Sequence, residues 1–138
     1  LMLASPGHCA SHSLLKYLKK HNSQRNILLA THAPAPVRYA VKARIPCIVL
    51  SRDMHDYVNS SCHHKGDKIG AHAPMVFWVG IVHYSEGFIL GKYEEIIRDP
   101  RPLIRRVNQK YGTDFNEGDG DMEWIRVYGS TKPKKVMK

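Results

Sequence analysis

A chain of 138 residues is long enough for one domain with a real core, and short for an enzyme that must hold a cofactor and a second substrate. Its 21 lysines and arginines against 12 aspartates and glutamates leave a formal charge of +9, which favours an anionic partner such as a nucleotide, a nucleic acid or an acidic membrane surface. No apolar run approaches the roughly 20 residues of a membrane span, no signal-peptide pattern is present, and the three cysteines, Cys9, Cys47 and Cys62, have no paired spacing, with Cys47 in an expected buried strand, which argues against a disulfide framework and makes a reducing cytoplasm the expected compartment.

The chain opens inside an apolar run, Leu1 to Ala4, with no clear initiator, so residues upstream are expected. That run reads as the end of a first strand, and the small-residue loop Ser5-Pro6-Gly7-His8-Cys9-Ala10-Ser11 feeds a helix from about Ser11 to His21. Leu14, Leu15 and Leu18 take one face of this helix, with Lys16, Lys19 and Lys20 on another. Strand, small-residue loop and helix is an arrangement in which loop amides and the helix N-terminus solvate an anion. The Walker pattern is absent, since no Gly-Lys-Ser/Thr follows.

After a turn at Asn22 to Asn26, Ile27-Leu28-Leu29-Ala30 is a second buried strand, and it leads into Thr31-His32-Ala33-Pro34. The prolines at 34 and 36 end that strand and start a helix over Val37 to Arg44. His32 therefore falls at a strand's carboxyl end, where a histidine serves either as a structural hydrogen bonder or as a base. Cys47 to Leu50 is a short β-branched apolar run that gives way at once to Ser51-Arg52-Asp53, polar residues suited to opening a helix from Met54 to about His63. Ligands bind at the carboxyl ends of strands in a parallel α/β sheet, so Arg52, with Ser60 eight residues on, is a candidate anion clamp. An Arg52 paired with Asp53 or Asp56 on a solvated surface is the plainer alternative.

Lys65 to Gly70 is a polar loop, and the apolar stretch Ala73 to Tyr84 is expected to be a largely buried helix. Gly87 to Gly91 reads as a strand, Lys92 to Ile97 as a turn and short helix, and Arg101 to Tyr111 as a helix begun by Pro100 and closed by Gly112. Beyond Asn116 an acidic, glycine-rich loop precedes a last element near Trp124 to Tyr128 and a basic tail from Thr131. No internal repeat is present. Buried strands near 1–4, 27–31, 47–51 and 87–91, alternating with helices, predict a single three-layer α/β domain with a short, mainly parallel sheet.

Several separated pieces resemble the sulfotransferases that use 3′-phosphoadenosine 5′-phosphosulfate, PAPS. The segment Arg52-Asp53-Met54-His55-Asp56-Tyr57-Val58-Asn59-Ser60 resembles the family's Arg-(Asp/Asn)-Pro-(Arg/Lys)-Asp-x-x-x-Ser, whose arginine and serine hold the 3′-phosphate. Thr31-His32-Ala33-Pro34 resembles the Lys-Thr-His-Leu-Pro turn whose histidine is the general base, and Gly91-Lys92-Tyr93-Glu94-Glu95, with Asp99-Pro100 and Tyr111-Gly112, is similar to the Arg-Tyr-Glu-Asp-Leu, Asp-Pro and Phe-Leu-Gly pattern. These pieces occur in family order over roughly Leu1 to Phe115. The family's phosphosulfate loop, Pro-(Lys/Arg)-Ser-Gly-(Thr/Ser)-(Thr/Ser), corresponds to Gly7-His8-Cys9-Ala10-Ser11-His12, with His8 in the cation's place, and Ala30 stands where a lysine precedes Thr-His. The late Arg-Lys-Gly loop has only Lys132 to Lys135 as a loose counterpart.

The resemblance implies a PAPS-dependent sulfotransferase acting on a hydroxyl or amine acceptor, with His32 and His8 catalytic, Gly7 to His12 on the 5′-phosphosulfate, and Arg52 and Ser60 on the 3′-phosphate. The alternative, which the missing lysines favour, is a PAP- or PAPS-binding module that keeps the cradle without turnover. A nucleic-acid partner is not expected, since the positive residues are scattered and carry no nucleic-acid motif. Cys62, His63, His64 and His72 fall outside common zinc-finger spacings, so no metal is expected.

Overall fold

The computed structural model describes residues 1–7, 9–30, 32–53 and 72–122. Four strands, β1 (Met2–Ala4), β2 (Leu28–Leu29), β3 (Cys47–Ser51) and β4 (Ile89–Lys92), form one sheet in the order β2-β1-β3-β4, and each of these pairings is parallel. The helices are α1 (Ser11–His21), α2 (Ala35–Lys42), α3 (His72–Ile81), α4 (Tyr93–Arg98) and α5 (Arg101–Tyr111), with a 3₁₀ turn over Val82–Gly87.

Successive strand residues face opposite sides, and β3 divides its side chains accordingly. Ile48 and Leu50, with Leu3, pack against Leu14 and Leu18 of α1 and against Leu103, Ile104 and Val107 of α5. Cys47 and Val49, with Ala4, pack against Val37 and Ala40 of α2 and Phe77 and Ile81 of α3. The sheet is thus buried on both faces between helices, a three-layer α/β arrangement.

The connections run in opposite directions from the two central strands. From β1 the chain goes through α1 to β2 on one side, and from β3 it goes on to β4 on the other. The β1/β3 crevice is therefore the topological switch point, where an open parallel sheet leaves a gap above its carboxyl edge.

Local chemistry sets the helix limits. Before α5 the Asp99 carboxylate accepts from the Arg101 backbone N–H at 3.1 Å and from the Arg101 guanidinium at 2.9 and 3.0 Å. Gly112 ends the helix at φ 65°, a left-handed position that glycine takes at little cost. α1 and α5 span the ranges that periodicity predicts, whereas α2 begins two residues before the predicted Val37, because Pro36 fits the first turn.

Three expectations need correction. The second strand, expected to be buried over 27–30, is only Leu28–Leu29 at the sheet edge, with Leu28 63% exposed. The stretch 73–84 is not a largely buried helix: α3 ends at Ile81, and Met75, Val76, Val79 and Val82 are exposed, Val79 at 70%. Only the side of α3 carrying Phe77 and Ile81 meets the sheet, so apolar composition there does not mean burial. The fourth strand lies at 89–92 rather than 87–91, since its pairing extends from Ile48↔Ile89 to Ser51↔Lys92. The predicted helix 54–63 and the elements beyond 122 lie outside the described residues.

The loop after α5 is tied back to α1 by two buried side chains. Asn22 donates from Nδ2 to the carbonyls of Leu18 and Asn116 at 3.1 and 3.2 Å, and its Oδ1 accepts from the Asn116 N–H at 2.7 Å. The Tyr17 hydroxyl donates to the Glu117 carbonyl at 2.6 Å and accepts from the Gly120 N–H at 2.8 Å. Each such bond is worth about 1 kcal/mol net, and an abandoned partner costs more. Asn22→Ala is therefore expected to lower unfolding free energy by about 2–3 kcal/mol, seen as a lower urea midpoint at unchanged slope.

Acid should weaken the fold at the start of α5. Hydrogen bonds from Arg101 hold the Asp99 carboxyl below its ordinary value of 3.8. Because the folded value lies below the unfolded one, the stabilisation is complete above 3.8 and is lost as pH falls through the lower folded value. The urea midpoint should drop below pH 4, and Asp99→Asn should flatten part of that drop while leaving α5 in place.

Candidate functional site

Four strand ends deliver residues to one edge of the sheet in spatial order. His32 follows β2, the Ser5–Ala10 loop follows β1, Arg52 follows β3 and Tyr93 follows β4. Parallel pairing places all four at carboxyl ends, and the loop and Arg52 flank the switch point.

The loop is curled by its own backbone. Gly7 lies at φ 110°, and Ala10, the residue before α1, lies at φ 64°, left-handed where a helix N-cap ordinarily has an extended conformation. A left-handed alanine costs roughly 1 kcal/mol, and such strain is kept where the chain must turn its amides in a set direction. Ser5 is fully buried, and its Oγ accepts from the Gly7 N–H at 3.1 Å. The Cys9 thiol donates to the Gly7 carbonyl at 3.1 Å, and Ser11 is buried at the first position of α1. His12 is exposed one residue further along.

Burial pushes the Cys9 thiol up to about 12, against the opposing pull of the nearby Arg52 charge, with Glu94 acting in the same sense as burial. The thiol is therefore neutral at pH 7 and sets no negative charge beside Arg52. Arg52 is half-buried, and its guanidinium carbon lies 3.9 Å from the centroid of the Tyr93 ring. The stack follows from register, since Ser51 pairs with Lys92 and the next residues of both strands are Arg52 and Tyr93. Tyr93 is itself buried, at 8% exposure.

His32 is exposed, and its Nδ1 lies 2.9 Å from the Ser5 carbonyl oxygen. A carbonyl only accepts, so Nδ1 carries the proton, and in the neutral ring Nε2 is left with the lone pair. The contact continues the β1/β2 ladder. Leu28 N–H donates to the Leu1 carbonyl at 2.9 Å and Ala30 N–H to the Leu3 carbonyl at 2.8 Å, and the His32 ring takes the next acceptor on the same side of β1.

Of the residues predicted from sequence, Gly7, Cys9, Ala10, Ser11, Arg52 and His32 come together at this edge, with His12 on the adjoining turn of α1. His8 and Ser60 lie outside the described residues, as do Cys62, His63 and His64. Sequence reading missed two members. The Ser5 carbonyl has no side-chain signature, and Tyr93 was legible only as part of the Lys92-Tyr93-Glu94-Glu95 piece. Its partnership with Arg52 required the β3/β4 register.

Chemically, the described residues at this edge combine a helix N-terminus, an arginine cation and an imidazole whose Nδ1 is bonded to Ser5. These suit an anion bound at the centre and a proton acceptor at one side. Among the described residues no helix is long and apolar enough to cross a membrane. Comparison of the chain with family models, with curated proteins and with solved structures finds no match.

Proposed function

We propose that this chain is a small sulfotransferase that moves a sulfuryl group from PAPS to a hydroxyl or amine acceptor. The observation that carries the reading is the meeting, at one switch-point edge, of three sequence pieces far apart in the chain: the Gly7–His12 loop, His32 and Arg52.

Sulfuryl transfer demands in-line positioning, a base for the nucleophile and donors facing the oxygens that gain charge. The amides from Cys9 to His12, with Ser11, hold the 5′-phosphosulfate, and Arg52 with Ser60 holds the 3′-phosphate. His32 Nε2 takes the acceptor's proton as the new bond to sulfur forms, and the bond from sulfur to the 5′-phosphate oxygen breaks with its electron pair leaving on PAP. His8 supplies positive charge in the loop when protonated. No metal takes part in this scheme.

A second reading, a PAP- or PAPS-binding module without turnover, is favoured by one feature. The loop from Gly7 to His12 has no lysine or arginine, and Ala30 precedes Thr31-His32, so the charge that develops on the sulfuryl oxygens meets few cations. Sulfate release or transfer from PAPS by the wild type separates the two readings, since the module would bind PAP tightly and give none.

Two outcomes test the first reading. His32→Ala should lower turnover by roughly two to four orders of magnitude, the usual worth of a positioned base, with PAP affinity nearly unchanged. Normal turnover in that variant would make another group the base.

PAP should bind at least roughly tenfold more tightly than AMP, which lacks the 3′-phosphate, because hydrogen bonds from a charged fork are worth about 1.5–3 kcal/mol. The preference should fall with added salt and largely vanish in Arg52→Ala, with Ser60→Ala milder. Calorimetric titration of both nucleotides checks it, and equal affinities in the wild type would remove the 3′-phosphate site.

A further inference from the structure

We propose that the outer surface of the α2/α3 layer docks on an anionic bilayer, with the aliphatic strip of α3 entering the headgroup boundary and the cations of α2 meeting lipid phosphates and carboxylates. This goes beyond the sulfotransferase reading and does not rest on it, because the surface uses no residue of the anion site.

The strip is built by helical spacing. Phe77 and Ile81 turn to the sheet, which leaves Met75, Val76, Val79 and, in the following turn, Val82 on the outer side, each more than half exposed. No charged side chain interrupts the chain from Pro74 to Val82. A helix that is apolar all round is ordinarily buried all round, so the outer side of α3 has apolar surface to cover. α2 lies directly beside it. A Cβ at Gly80 would fall 2.5 Å from that of Pro34, the Arg38 guanidinium donates to the Gly80 carbonyl at 2.9 Å, and the Lys42 ammonium lies 5.9 Å from the centroid of the Tyr84 ring. Tyr39, on the same helix as both cations, is exposed.

Charge selects the occupant. The first 52 residues hold eight lysines and arginines and no aspartate or glutamate, so nearly all of the net charge of +9 is carried there. Among the described residues no ion pair involves Arg38, Lys42 or Arg44, and the acidic side chain that follows the strip is Glu86, four residues beyond Val82. Arg44 sits at φ 59° just after α2, a left-handed position that favours glycine, so the chain carries a cation there against a backbone cost. A second copy of the chain is the wrong partner, since a two-fold contact would set these cations against themselves. The strip offers no hydrogen-bonding side chain for a protein to read, whereas a bilayer needs only apolar depth beside positive charge.

The test floats the purified chain with vesicles of phosphatidylcholine alone and with vesicles containing about 30 mol% phosphatidylserine. The anionic vesicles should bind it at least roughly tenfold more tightly, and added salt should weaken that binding. Val76→Ser/Val79→Ser should lose roughly tenfold in affinity at an unchanged urea midpoint, since both side chains are exposed. Arg44→Gly should lose roughly fivefold while raising the urea midpoint, because it removes a cation and relieves the left-handed backbone. These opposite movements separate docking from damage to the fold. Lys19→Gln/Lys20→Gln, on α1 in the opposite layer, should change affinity less than about twofold.

Absent binding, or equal binding to the two compositions, overturns the proposal, as does anionic binding that the valine variant keeps or the α1 variant loses. Self-association without lipid that sedimentation velocity finds in the wild type and not in the valine variant also overturns it, and makes the strip an interface between copies. Every measurement is made without nucleotide, so the outcome is distinct from that of the PAP titrations.

Discussion

The pairing of β1 with β3 is the constraint on which the rest of this molecule depends. β1 is only three residues long and is paired on both sides, with Met2, Leu3 and Ala4 in register with Cys47, Ile48 and Val49 and with Met2 and Leu3 in register with Leu28 and Leu29. Leu3, Ala4, Val49 and Leu50 are wholly buried. A buried strand has no water to satisfy its amides, so each lost ladder bond leaves a group that costs about 1–3 kcal/mol. A shift of one residue would also exchange the two faces of β3, sending Ile48 and Leu50 to the side built for Cys47 and Val49. The sheet thus has one permitted register, and that register fixes which residues emerge at its carboxyl edge.

Electrostatics at that edge is settled by burial more than by proximity. Arg52 and Cys9 are close enough for the cation to pull the thiol towards ionisation, yet desolvation wins and the thiol stays protonated. A thiolate there would have neutralised the arginine. As a neutral group, Cys9 instead donates to Gly7 and braces the loop. The Tyr93 ring lies against the Arg52 guanidinium, 3.9 Å from centroid to carbon, a contact that leaves a cation's charge in place.

Much of the architecture was legible because it rests on local rules. The leucines of α1 recur at helical spacing, Pro100 and Gly112 bracket α5, and the apolar run 47–50 passes abruptly to polar residues at the end of β3. What was not legible depends on partners distant in sequence. α3 is apolar on every side, so its periodicity could not reveal that Val79 faces outward while Phe77 faces the sheet. β2 shrinks to Leu28–Leu29 because it is an edge strand whose Leu28 is 63% exposed. The site divides in the same way. His32, Arg52 and the loop were found from residue type at strand ends, whereas the Arg52–Tyr93 stack and the His32–Ser5 bond follow from registers that no single segment encodes.

The His32 contact shows how a two-residue edge strand can still aim a side chain. The carbonyls of Leu1 and Leu3 point towards β2 and receive the N–H groups of Leu28 and Ala30. The next carbonyl of β1 on that side belongs to Ser5, and it receives the imidazole of residue 32 in the spacing that a backbone amide would have continued. The chain turns away towards Pro34 and α2 at this point, so the ladder has no further amide to offer. A side-chain N–H closes it instead. The ring is then oriented by the same two-residue repeat that builds the sheet, and the nitrogen on its other side keeps its lone pair. Any insertion between Leu28 and His32 would break this alignment, because the ladder counts residues: Leu28, Ala30 and His32 meet the carbonyls of Leu1, Leu3 and Ser5 in turn.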